Sequence, residues 1–211
     1  IALMSRELIL RHPDIRQFTT VWMDSLRGGE SMLVNTNKLI RFYDGATGLK
    51  TGSTGSAGYC LSATAEKNGM ELIAVVLKGK TSDERFSDAK SLLNYGFSTW
   101  SLVTVTPDEV LPPVPVTLGV RGTVQPVLTS ENTLLVEKTL ANGLTKEVAL
   151  AESVAAPVYA GDTLGQLTVR DAAGDTVAEL PILAGEDVGH VTFVQMLGRC
   201  LARGFCMGPQ S

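Results

Sequence analysis

The hydrophobic and polar positions divide this chain into regions with different periodicities. Residues 1 to 12 carry Ile1, Met4 and Leu8 at helical spacing, and Pro13 ends that helix because the residue before a proline is driven out of the helical region. From Tyr59 to Lys67 the period changes to two, with Cys60, Ser62, Thr64 and Glu66 on one face and Leu61, Ala63 and Ala65 on the other. Asn68-Gly69 follows, a pair that tolerates positive φ at both central positions of a two-residue hairpin turn. The return run Leu72-Ile73-Ala74-Val75-Val76-Leu77 is apolar on both faces and predicts a buried central strand. Thr81 and Glu84 form a capping box opening a helix whose inner stripe is Phe86, Ala89 and Leu93, with Gly96 as its stop.

Beyond Trp100 the pattern changes. Pro107, Pro112, Pro113 and Pro115 predict a stiff linker over 102–115. Short β runs separated by turn signals then occupy 116–190, among them Thr133–Val136, Gly165–Arg170 and Thr176–Leu180, with Ala172-Ala173-Gly174-Asp175 joining the last two as a hairpin. This is the spacing of a small all-β sandwich. Over 191–211, Val194, Met196, Leu197, Cys200, Leu201 and Phe205 gather on one side of a helical wheel, opposite Arg199 and Arg203, with no acidic residue after Asp187. Two readings stay open for this tail: a helix lying in a membrane interface, and a helix packed on its own domain.

Composition narrows the function. The formal charge of −4, without a basic face, argues against nucleic-acid binding. Three cysteines without C-x-x-C spacing signal neither a zinc site nor a disulfide framework, so no metal or cofactor is expected. No apolar run is long enough for a membrane-spanning helix. The first helix has no capping residue before it and reads as beginning in its middle, so the chain is expected to be a piece of a longer protein, exported by a signal peptide upstream of Ile1.

The candidate chemistry lies between residues 45 and 58, where Gly45, Gly48, Gly52, Gly55 and Gly58 surround Lys50-Thr51-Gly52. Glycines at this density mark tight turns or backbone approached closely by a ligand. The triplet by itself is weak, since about one chain in twenty of this length would carry it by chance. Its surroundings are specific. Asp44 to Tyr59, together with Asn35-Thr36-Asn37-Lys38-Leu39, the Leu72–Leu77 run, Arg85 to Lys90 and Leu92 to Phe97, resembles the serine-type D-alanyl-D-alanine carboxypeptidases, the low-molecular-mass penicillin-binding proteins.

The resemblance implies an α/β mixed fold: part of a penicillin-binding, β-lactamase-like transpeptidase domain over 1–101, followed by the β sandwich. It implies an enzyme that trims the terminal D-alanine from peptidoglycan stem peptides through a serine acyl-enzyme, that binds β-lactams, and that works outside the cytoplasm, held at the membrane surface by its tail. Within it, Lys50 would supply positive potential to the substrate carboxylate and the proton-transfer network, and the Ser53 N–H would be an oxyanion donor. Thr51 would bond the carboxylate, Gly52 would leave room for substrate backbone, and Arg85 would sit near the carboxylate-binding end, against the alternative of a solvated charge in the first turn.

Two features depart from the family. None of the 49 residues before Lys50 forms S-x-x-K, and no S-x-N precedes it. Ser87-Asp88-Ala89-Lys90 follows the Lys-Thr-Gly strand instead of preceding it, and Ser130-Glu131-Asn132 falls in a turn of the β region, so neither is read as the missing motif. Without an activated serine the chain alone is expected to be inactive. Its unpaired strand edges are expected to need another cover, such as a second copy of the chain. The alternatives are a non-catalytic cell-wall binding module and a β-lactamase-like hydrolase; the β region speaks against the latter.

Overall fold

The computed structural model describes residues 1–198. Its backbone forms two compact units among the described residues: 1–102 with 135–139, and 103–134 with 140–198. The first unit begins with helix α1 (Ala2–Arg11), the short helix α2 (Arg16–Thr19), the hairpin β1 (Met23–Leu26) and β2 (Ser31–Val34), and the single turn α3 (Leu39–Phe42). Strands β3 (Ala46–Thr54), β4 (Gly58–Lys67) and β5 (Met70–Gly79) follow, then α4 (Ser82–Thr99) and β6 (Trp100–Thr104). β3, β4 and β5 form an antiparallel sheet in that order.

Alternation along β4 sends Leu61, Ala63 and Ala65 to one face, where they meet Phe86, Ala89 and Leu93 of α4 and Leu39 of α3 in a single core. The Asn68-Gly69 turn has positive φ at both residues, 53° and 77°, as its two-residue length requires. α4 opens as expected: the Glu84 N–H donates to Thr81 Oγ1 at 3.1 Å, and the Glu84 carboxylate accepts from the Lys80 N–H at 2.6 Å.

Three expectations in this unit are corrected. The inward face of α1 is Ser5 and Ile9, while Ile1 and Met4 are exposed. Ser5 Oγ lies 2.7 Å from Ser62 Oγ on β4, and this buried hydroxyl pair turns the helix one position from its most apolar stripe. β5 is an edge strand, not a central one. Its two-sided apolar character arises because α4 packs on one face of the sheet and α1 on the other. Gly96 does not stop α4, which continues to Thr99. A Cβ there would stand 2.5 Å from Leu72 Cδ1, so the glycine serves the approach of helix to strand.

The second unit contains β7 (Val114–Thr117), β8 (Thr123–Val124), β9 (Pro126–Leu128), β10 (Thr133–Glu137, which starts here and ends in the first unit), α5 (Lys138–Ala141, likewise shared), β11 (Thr145–Leu150), β12 (Val154–Ala155), β13 (Thr163–Arg170) and β14 (Thr176–Ala184). A four-stranded sheet runs β11-β13-β14-β9 and a three-stranded one β12-β7-β8. β13 and β14 pair through the 172–175 turn, where Gly174 takes φ 92°. Leu167, Val169, Leu180 and Ile182 are buried with Val105, and Val114, Val124, Leu164 and Val188 form a second cluster. Because Val105 and Val114 belong to these cores, with Leu111 packed against one of them, most of the stretch expected as a linker is part of this unit. Residues 193–198 form a last helical turn with Phe193, Val194 and Leu197 exposed; the remaining expected tail positions, Arg199 to Phe205, lie outside the described residues.

Candidate active site

β3 is the edge of its sheet, and Lys50, Thr51, Gly52 and Ser53 occupy its second half. Register places Lys50 opposite Ser62, Thr51 opposite Leu61, Gly52 opposite Cys60 and Ser53 opposite Tyr59. Strand alternation therefore sends Lys50 and Gly52 to the Ser62 face and Thr51 to the α4 face. A cleft over the sheet is lined by Lys50, Thr51, Gly52, Cys60, Ser62 and Leu77, with Ile1 at its side.

Lys50 is exposed, and its Nζ donates to the Thr51 carbonyl. Gly52 and Ser53 are exposed, and a Cβ added at Gly52 would meet nothing within 4 Å, so open space lies directly over this backbone. Thr51 is buried, and its Oγ1 lies 2.7 Å from Thr36 Oγ1.

The loop before α3 positions that contact. Asn35 Nδ2 donates to Val21 O at 2.9 Å and its Oδ1 accepts from the Asn37 N–H at 2.9 Å. Asn37, also buried, donates from Nδ2 to Gly48 O on β3 at 2.8 Å and accepts at Oδ1 from the Leu39 N–H at 3.2 Å. Thr36 is thus held between two anchored asparagines, with its hydroxyl against Thr51. In the sequence Asn35-Thr36-Asn37 reads as a polar connection and as part of the family resemblance, with no role for its side chains. The signal present was a pair of Asx side chains two apart, which bond local backbone in turns.

Arg85 is 6% exposed, so it is not a solvated charge. Its Nη1 lies 3.3 Å from both Gly52 O and Cys60 O, and donates to them across the β3–β4 pair. The guanidinium stacks over Phe86 and Tyr59, at 4.8 and 5.4 Å from the ring centroids. No carboxylate forms an ion pair with it among the described residues. The aromatic faces and carbonyl dipoles offset its desolvation and leave a positive charge directly behind Gly52.

A second polar cluster was not anticipated. Glu66 and Glu71 are direct cross-strand partners on β4 and β5, a repulsive placement, and Arg16 bonds both at 2.8 and 2.5 Å. Thr47 Oγ1 donates to Glu71 at 3.2 Å, and Thr19 Oγ1 donates to Thr47 O at 2.6 Å, so α2 is tied to the start of β3. Ser87 is exposed on α4 and is not among the residues lining the Lys50 cleft, and Ser130-Glu131-Asn132 lies between β9 and β10. No group of His, Cys, Asp and Glu among the described residues is arranged to hold a metal.

Residues 1–81 match the family described as D-alanyl-D-alanine carboxypeptidase, and residues 103–190 match the penicillin-binding protein 5 C-terminal domain. The chain is 34% identical to the D-alanyl-D-alanine carboxypeptidase DacF of Bacillus subtilis over 95% of its length, covering 52% of that protein. It is 30% identical to DacC of Escherichia coli over 67% of its length, covering 36% of that protein. The chain thus spans about half, or less, of the curated relatives it matches. Its fold is similar to penicillin-binding protein 5 from Haemophilus influenzae, with TM-score 0.71 and 23% identity over 90% of this chain and 55% of that one.

Proposed function

We propose, for a chain that belongs to the D-alanyl-D-alanine carboxypeptidase family, that its intact protein removes the terminal D-alanine from peptidoglycan stem peptides and is acylated by β-lactams. The observation that carries this reading is the free second half of β3: Lys50 exposed and Gly52 under open space on one face, with the Thr51 side chain on the other. In the intact enzyme a serine outside this chain attacks the penultimate carbonyl. An ester forms, the amide C–N bond breaks, D-alanine leaves with a proton on its nitrogen, and water then hydrolyses the ester.

The residues of this chain hold the other wall of that site. Lys50 and the buried charge of Arg85 bring positive potential to the substrate carboxylate, and the Thr51 hydroxyl donates to it. The Thr51 carbonyl accepts from the Lys50 side chain, which places that carbonyl on the free edge. Alternation then puts the Ser53 N–H on the same side, where an oxyanion would form. No cofactor enters this scheme.

Fluorescent-penicillin labelling of the intact protein tests it. Lys50→Ala should lower the labelling rate by about a hundredfold or more, and the 211-residue chain alone should remain unlabelled. If the unmodified intact protein gives no labelled band, the enzyme reading falls and a non-catalytic cell-wall module takes its place. The match of residues 103–190 to a penicillin-binding protein domain favours the carboxypeptidase over a β-lactamase-like hydrolase. We also propose that the protein works outside the cytoplasm, attached to the membrane surface through the segment that begins at Phe193. In the isolated chain, a second copy is the proposed cover for the open edges of β3 and β5.

A further inference from the structure

We infer that Thr36 is a positioning residue for carboxylate recognition, acting through the hydroxyl of Thr51; this rests on the function proposed above. A hydroxyl carries one hydrogen and two acceptor lone pairs. Thr51 Oγ1 and Thr36 Oγ1 are 2.7 Å apart, so one of them donates to the other. If Thr51 donated to Thr36, its single hydrogen would be committed and it could offer a carboxylate only lone pairs, which repel. If Thr36 donates, it fills a Thr51 lone pair and fixes the hydroxyl rotor, so that the Thr51 hydrogen can point along the edge of β3 toward the ligand. Binding of an anion therefore selects the second arrangement, and Thr36 is the group that orients it.

The surrounding loop is built to hold this geometry. Asn37 ties it to Gly48 O of β3, and Asn35 ties it to Val21 O and to the Asn37 N–H. Thr36 is exposed, so its hydroxyl is not needed to satisfy a buried core. Thr51, by contrast, is only 8% exposed, which limits the water available to replace the lost donor.

The test compares, on the intact protein, two peptides that differ only at the C-terminus: D-Ala-D-Ala as the free acid and as the amide. Thr36→Val keeps the shape and removes the hydroxyl. It should lower kcat/KM for the acid by about tenfold, mainly through KM, and leave the amide unchanged, as expected when the bond from Thr51 to a charged group loses the neighbour that orients it. Thr36→Ser should restore the acid preference. An equal loss on both peptides would mean that Thr36 only supports the loop, and no loss on either would mean that it does nothing; each outcome overturns the inference.

The same pair is also measured as a binding equilibrium by NMR titration, which needs no turnover. If the protein never turns over peptide yet prefers the acid in a Thr36-dependent way, the enzyme reading fails and the inference stands. If the unmodified protein shows no preference for the acid in either measurement, the inference fails.

Discussion

At the scale of the residue, the same side-chain types take different roles according to what surrounds them. Lys50 and Arg85 both bring positive charge to β3, but Lys50 does so from solvent and Arg85 from beneath, through Gly52 O and two aromatic rings. Lys38 shows a third arrangement. It reaches Asp83 in the first turn of α4 at 2.8 Å, and this hydrogen bond and charge hold the Asp83 carboxyl below the ordinary carboxylate range. Because the folded pKa is depressed, any stabilisation is present above the unfolded pKa and disappears as the pH falls through the folded one. The pair is exposed, so the effect on stability is small and the titration itself is the readout. By NMR, Asp83 should titrate below the ordinary carboxylate range, and Lys38→Ala should move it back upward. An unchanged midpoint in that variant would show that the contact does not form in solution.

At the scale of the element, packing opposes local propensity in α4. Alanine in place of a mid-helix glycine ordinarily adds about 1 kcal/mol. At Gly96 the added Cβ would meet Leu72 Cδ1 at 2.5 Å, and this end of a half-buried, flexible side chain has to rotate away. Gly96→Ala should therefore recover less than about 1 kcal/mol in urea unfolding. In a Leu72→Ala background the same substitution should give the full gain, because the obstacle is gone. An equal gain in both backgrounds would mean that the close approach of α4 to β5 is not a constraint. The helix itself was legible from Thr81, Glu84 and the Phe86–Ala89–Leu93 stripe. Its true end was not, because a glycine needed for contact and a glycine needed for termination are the same letter.

At the scale of the molecule, each unit has its own core, and the segment following the second one begins with apolar side chains turned to solvent. Phe193 is 81% exposed and Leu197 50% exposed, an arrangement suited to an interfacial helix. In a flotation assay with anionic vesicles, the chain should rise with lipid, and Phe193→Asp with Leu197→Asp should keep most of it in the dense fraction. Flotation unaffected by both changes would end the membrane proposal.

The linear order of residues sufficed for the features set by neighbours a few positions apart. These are the β3–β4–β5 succession, the Asn68-Gly69 turn, the α4 cap, the β14 hairpin and the Lys50-Thr51-Gly52 strand with its family. Features that depend on what stands across the chain could only come from the fold. The register of β4 against β3 put Ser62 opposite Lys50. α1 turned Ser5 inward to meet Ser62, Arg85 was buried behind Gly52, and Thr36 was brought to the hydroxyl of Thr51. Periodicity reports which face a residue occupies, but hydrogen bonding and burial are decided by the partner, and the bonded pairs Thr36–Thr51, Gly52–Arg85 and Ser5–Ser62 are 15, 33 and 57 positions apart in the chain.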